Sequence, residues 1–351
     1  MYDSLWQAFA FGRGDVSARN RTFMGPMTLA TAEADGRIND WIVAWYRARA
    51  AGGVGSIIGA AAAVHASGFG WQNAMTIHTD DHIDGWKRCV DAAHQEGALF
   101  GTQLYHGGAA SHDALLGHQP WCPSAWKRDG FDPAREMTVD EIELVIDAFA
   151  DGARRSVQAG CDFVELHGAH GYLLHQFWRR DVNHREDKWG EPTLFATEVI
   201  KAVRAAVGER VPIVYRFSIH SDDPAATDEP VTPESLSIYL KALEDAGVDV
   251  WDISCWRESR RGYFGTTTLL PEWVKKTSSL PRIVAGNFLD PAGAAEYCES
   301  GFAEGIALAR GLIADASWCS RAQTGEPVRP YFDEDLQALR VGRDPGIERV
   351  G

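Results

Sequence analysis

The sequence predicts a single (β/α)8 barrel. Eight short apolar runs recur along it, an amphipathic stretch follows each, and the side chains suited to chemistry stand just beyond the runs. Runs this apolar fit strands buried on both faces, and strict alternation with helices implies parallel strands joined by crossovers. Eight units suggest closure into a barrel, whose active site belongs at the C-terminal ends of the strands.

The strands are expected at 22–27, 54–60, 98–105, 162–167, 211–218, 248–254, 282–286 and 305–309, each rich in Val, Ile, Leu, Phe or Ala. The helices are expected at 40–51, 80–96, 139–159, 194–207, 233–246, 271–277, 292–300 and 312–322. Thr138 with Glu141 three residues on forms a capping-box pattern, and Thr232-Pro233 puts proline at a first helical position. Gly160, Gly208, Gly247 and Gly301 each close a helix and open the next strand. An open doubly wound sheet is the rival, but no G-x-G-x-x-G follows a strand. The loop 106–138, with its Gly, Pro and Trp, is expected to cover the barrel mouth, and residues after about 327 to form a polar tail.

The 351 residues suit one domain spanning 1–351, because a barrel uses about 250 residues and can exceed 400. A hydrophobic share of 45% supplies a large core. The net charge of −15 disfavours nucleic acid and acidic membrane as partners. No stretch approaches the roughly 20 apolar residues that span a bilayer. The first residues lack a basic segment followed by an apolar one, so a cytoplasmic protein without a secretion signal is expected. The six cysteines stand singly, with no C-x-x-C pair, so a zinc or iron–sulfur site of that spacing is not expected.

The strand ends carry the chemistry. The first run ends in Pro26-Met27-Thr28, the second in Ala60-Ala61, and the third holds Gln103 with His106 beyond it. The fourth is followed by the densest cluster, in which Glu165, His167, His170, Tyr172 and His175 fall together. The fifth holds Arg216, the seventh ends in Gly286-Asn287 and the eighth in Ala309-Arg310-Gly311. Barrels often hold a phosphate between the loops after strands seven and eight. His167 and His170 admit three readings: metal ligands, structural histidines, or a pair of neutral donors to an oxygen that gains negative charge. Tyr172 either packs or delivers a proton. An inward-facing arginine is costly without an anion or strong acceptor, so Arg216 implies an electron-rich ligand. Amide, guanidinium, threonine and phosphate cradle together describe a flavin mononucleotide site. No lysine stands at a strand end, against a Schiff-base aldolase.

Over nearly its full length the chain resembles the old yellow enzyme family of FMN-dependent ene-reductases. The resemblance rests on RNRTFMGPMT (19–28), GTQLYHGG (101–108), GCDFVELHGAHGYLLHQF (160–177), VNHREDKWG (182–190), PIVYRFS (212–218), IVAGN (283–287) and LARGLIAD (308–315), in that order. It implies that Pro26, Met27 and Thr28 approach the flavin, with Thr28 at its C4 carbonyl. It places Ala60 and Gln103 at the pyrimidine edge and Arg216 beside N1 and the C2 carbonyl. Gly286, Asn287, Ala309 and Arg310 would cradle the phosphate. His167 and His170 would bind the carbonyl of a substrate, Tyr172 would donate the proton, and Tyr105 would shape the substrate pocket. The expected reductant is NADH or NADPH and the expected partner a small-molecule electron acceptor, an activated alkene such as an α,β-unsaturated carbonyl compound. Oxidative demethylation of a small N-methyl amine is the alternative, and a homo-oligomer is within expectation. The family commonly has Gly where this chain has Ala309, which requires a negative φ there. The stretch Trp178-Arg179-Arg180 also departs from the family, at a place that bears on substrate or subunit contacts.

Overall fold

The computed structural model describes residues 1–219, 231–255 and 261–348. Eight parallel strands close into a barrel in chain order. They are β1 (Thr22–Met24), β2 (Ser56–Ala63), β3 (Leu99–Tyr105), β4 (Phe163–Gly168), β5 (Ile213–Phe217), β6 (Val250–Ser254), β7 (Arg282–Ala285) and β8 (Gly305–Leu308), and β8 pairs back onto β1. Every one of these strands except the ends of β3 and β7 is buried throughout, as expected of strands covered on both faces.

The crossover helices are α1 (Asp40–Ala51), α2 (Ile83–Gln95), α3 (Val139–Gln158), α4 (Leu194–Val207), α5 (Pro233–Ala246), α6 (Leu270–Thr277) and α7 (Pro291–Glu299). Both expected start signals operate. Thr138 accepts from the Glu141 N–H while the Glu141 carboxylate accepts from the Thr138 N–H, and Thr232 does the same with Ser235 ahead of Pro233.

Three departures have identifiable causes. The eighth helix is two short ones, Arg310–Ala314 and Trp318–Thr324. The Asp315 carboxylate between them accepts from the Ser317 and Arg329 backbone N–H groups, which ends the first and turns the chain. A hairpin of Phe9–Ala10 with Ser17–Ala18 plugs the N-terminal end of the barrel. Its Phe9 and Phe11 pack on Phe23 and Phe163 at ring separations of 4.8–5.9 Å. The expected polar tail is instead folded, with helices Asp333–Arg340 and Pro345–Glu348. Ala338 and Leu339 are buried there, and Asp344 forms a two-pronged ion pair with the fully buried Arg49 of α1, whose guanidinium stacks 3.3 Å above Trp45.

The loop 106–138 packs over the turn after β4. The Leu173 N–H donates to the His106 carbonyl at 3.0 Å and the Ala109 N–H to the Gln176 side-chain oxygen at 3.1 Å. Trp121 anchors it, with the rings of His65, His106 and His118 stacked around it at 5.7–6.1 Å. Among the described residues no helix is long and apolar enough to cross a membrane.

Candidate active site

Two adjoining cavities open at the C-terminal ends of the strands and share His170 and Arg216. The smaller, about 130 Å³, is lined by Pro26, Thr28, Ala61, Trp71, Gln103, His167 and Tyr172 in addition to those two. The larger, about 340 Å³, runs to the ends of β7 and β8 and is lined by Gly286, Asn287, Ala309, Arg310 and Tyr331. Most residues singled out from the sequence thus meet at one trough, and its two ends differ in chemistry as expected.

The histidine pair owes its placement to the turn after β4. His167 is the penultimate residue of that strand. Its Nδ1 accepts from the Ala169 N–H at 3.4 Å, which puts the ring proton on Nε2. His170 has φ +60°, a conformation that costs a non-glycine residue about 1–3 kcal/mol. Three hydrogen-bonding contacts and a permissive glycine hold it there. Its backbone N–H donates to Ser218 Oγ at 3.1 Å, its Nε2 lies 2.8 Å from Ser254 Oγ, Gly171 follows at φ +78°, and the Gly171 N–H donates to His175 Nδ1 at 3.0 Å. The His167 and His170 rings meet edge to face at 4.9 Å, and Tyr172 stands 4.9 Å from His167. Burial, and then the Arg216 charge, holds His167 well below the ordinary imidazole range. Burial, then His167 and Arg216, does the same to His170. Both are neutral donors at neutral pH.

The floor is charged. Arg216, on β5, contacts Asp252 of β6, its Cα partner, and Gln103 of β3 donates to Glu165 of β4 at 2.7 Å. At the other end, Asn287 has φ +65°. Ala309 has φ −122°, so the negative φ that alanine needs where the family commonly has glycine is present. The Arg310 guanidinium lies 5.9 Å from the Tyr331 ring.

Three expectations change. At the second strand Ala61, not Ala60, lines the cavity. The strand slips register between Gly59 and Ala62, and Ala60 instead sits in the main core with its N–H donating to Tyr46 Oη at 2.8 Å. Met27 packs against the core beside the trough rather than lining it. Tyr105 is fully buried, with its hydroxyl accepting from the Gly70 N–H at 3.1 Å, and Trp71 stacks over it at 5.0 Å and takes the cavity face. Sequence reasoning passed over Trp71, Ser218, Ser254, Asp252 and Tyr331. The β6 end carried no expectation although Ser254 terminates it, and the run Gly68-Phe69-Gly70-Trp71 after β2 was the available sign for the tryptophan.

Among the described residues no group of three or more His, Cys, Asp or Glu side chains could hold a metal ion.

A family model, the NADH:flavin oxidoreductase / NADH oxidase family, matches residues 4–328. The chain is 35% identical to an NADH oxidase of Thermoanaerobacter brockii, over 90% of this chain and 50% of that protein. It thus spans about half the length of that relative. It is 32% identical to an NADPH dehydrogenase of Geobacillus sp. (strain WCH70), over 86% of this chain and 89% of that one. The old yellow enzyme homologue of Zymomonas mobilis superposes with a TM-score of 0.83 at 28% identity, covering 94% of this chain and 95% of that one. The chain belongs to the NADH:flavin oxidoreductase / NADH oxidase family, the old yellow enzyme type, whose cofactor is FMN. The trough fits that group: a buried guanidinium and an amide lie at one end, and Gly286, Asn287, Ala309 and the cationic Arg310 line the other.

Proposed function

We propose that this protein is an NAD(P)H-dependent ene-reductase that saturates the C=C bond of activated alkenes. The observation that carries the reading is the convergence of His167, His170 and Tyr172 on the same small cavity as Thr28, Gln103 and Arg216. Thr28, Gln103 and Arg216 would hold the ring system of FMN, and Gly286, Asn287, Ala309 and Arg310 its phosphate. Bound there, FMN supplies a hydride taken from NADH or NADPH and passed to the β-carbon of the alkene.

The protein's own groups supply the rest. His167 and His170, both neutral, donate to the carbonyl or nitro oxygen of the acceptor and favour the negative charge it gains. A protonated pair would instead tend to surrender a proton to that oxygen. Tyr172, beside His167, holds the proton for the α-carbon. Trp71 and Tyr172 wall the cavity so that a flat acceptor is held against the opposite face.

The test is an anaerobic two-step titration of the purified protein. NADH or NADPH should bleach the flavin absorption, and an enone or nitroalkene should then restore it. Recovery with no activated alkene, together with bleaching by a small N-methyl amine, would replace this reading with oxidative demethylation.

A further inference from the structure

Four consecutive strands contribute one polar side chain each to the floor of the trough: Gln103 and Arg216, which line it, and Glu165 and Asp252, which are bonded to them. Glu165 and Asp252 are wholly buried, Gln103 is 2% exposed and Arg216 7%. Each carboxyl has one satisfied oxygen: Glu165 Oε1 accepts from Gln103, and Asp252 Oδ2 contacts Arg216 Nη1. The other two, Glu165 Oε2 and Asp252 Oδ1, receive no hydrogen bond from a donor among the described residues. Asp252 acts directly on Glu165, through its charge and as a side-chain hydrogen-bond partner. Two buried carboxyl oxygens without a donor are costly, and a proton held between the two groups turns the repulsion into a bond.

Charge counting leads to the same place. The groups that act on Glu165 are Asp252, Arg216 and Gln103, and His167, His170 and Cys255 surround the cluster. The two histidines are neutral, and burial pushes the Cys255 thiol up to about 12, so it is neutral too. One guanidinium cannot offset two ionised carboxylates, and the surplus negative charge would be buried. Burial, and next the Asp252 charge, lifts Glu165 well above the usual carboxylate range, against a smaller pull from Arg216 and Gln103.

We propose that Glu165 and Asp252 hold one proton between them and are positioning residues for Arg216, anchoring the guanidinium from below as it meets the flavin. The protonated carboxyl closes a chain from Gln103 through Glu165 and Asp252 to Arg216. Both groups expected at the flavin's pyrimidine edge are thereby locked by one network, and neither can turn without breaking it. Tuning follows as well, since the charge beneath the ring sets how readily it accepts electrons. The proposal rests on FMN occupying the trough, not on the identity of the acceptor.

The test compares Glu165→Gln, which copies a protonated Glu165 in shape and charge, with Glu165→Leu, which cannot bond Gln103. Infrared difference spectra of the wild-type apoprotein in H₂O and D₂O should show a protonated carboxyl C=O band between about pH 5 and 9, and the band should vanish in Glu165→Gln. With FMN bound, spectroelectrochemistry should give Glu165→Gln the wild-type midpoint potential. Glu165→Leu should bind FMN at least about tenfold more weakly, for the loss of one buried charge-linked bond. Absence of the band in wild type, its persistence in Glu165→Gln, or a raised potential in that variant would mean that Glu165 is ionised and would overturn the proposal. If Glu165→Leu does not fold, the band and the potential of Glu165→Gln still decide. No arm uses an alkene, so loss of the ene-reductase reading leaves this result standing, and the infrared arm needs no flavin.

Discussion

His167 and Arg216 are Cα partners across β4 and β5, so their side chains rise from the same level of the barrel wall. In-register residues on neighbouring strands face the same side. A permanent cation therefore stands beside an imidazole from which water is largely excluded. The ring stays neutral for that reason, and His167 can donate a hydrogen bond without carrying a charge.

Ligand affinity should accordingly be flat on the acid side of neutrality. Phenols serve as probes of the histidine pair because their oxygen takes the place of a substrate oxygen. Their dissociation constant should change less than about twofold from pH 8 to pH 6, whereas an imidazole titrating at its ordinary value of about 6.5 would change charge in that window. A spectral titration of phenol binding at both pH values checks this, and an inflection near 6.5 would mean that one imidazole is charged by the acid end of that range.

Removing one of those donors should weaken the same probe. His167→Ala should raise the phenol dissociation constant by about 10- to 150-fold, the worth of a hydrogen bond to a charged oxygen at about 1.5–3 kcal/mol. Wild-type affinity would assign His167 to structure alone.

Tyr172→Phe should separate the two half-reactions. Reoxidation of the flavin by an enone should slow by about 10²–10⁴-fold, the usual worth of general acid help, while its reduction by NAD(P)H persists. Stopped-flow absorbance measures each step on its own. Unchanged reoxidation would identify another proton donor.

Acid sensitivity should trace in part to His106. Its Nδ1 accepts from the Gly108 N–H and its Nε2 meets Ser67 Oγ at 2.9 Å. Burial, and then His65, lowers it to about 3. An unfolded imidazole takes up its proton near 6.5, so below that pH the unfolded chain binds more protons and stability falls as pH drops. Between pH 6.5 and 5 this group alone costs about 2 kcal/mol. Urea melts of wild type and His106→Asn should therefore show a shallower loss over that interval in the variant, whatever its absolute stability.

Asp344→Asn should be among the costliest single changes outside the trough. It leaves the Arg49 charge buried against Trp45 without its carboxylate partner, with the Leu312 and Trp45 carbonyls still accepting from it. About 3–5 kcal/mol is the expected loss for breaking a buried pair from one side. Thermal denaturation should show it, and protease should release the segment after Arg329 before it cuts the barrel.

Local patterns in the chain were enough for the barrel, its strand order, and the positions of His167, His170, Tyr172, Gln103 and Arg216. Strand and helix periodicity, capping residues and the residue types at strand ends are written within a few positions of each other. What they could not convey depends on register and on partners far away in sequence. The slip between Gly59 and Ala62 decides that Ala61 rather than Ala60 meets the cavity, and Trp71 displaces Tyr105 from its surface. Ser254 reaches His170 across 84 residues, Asp252 reaches Arg216 across 36, and the tail is ordered because Asp344 finds Arg49 across 295. Closing the barrel is what brings these groups together, and the burial it imposes determines which of them keep their protons.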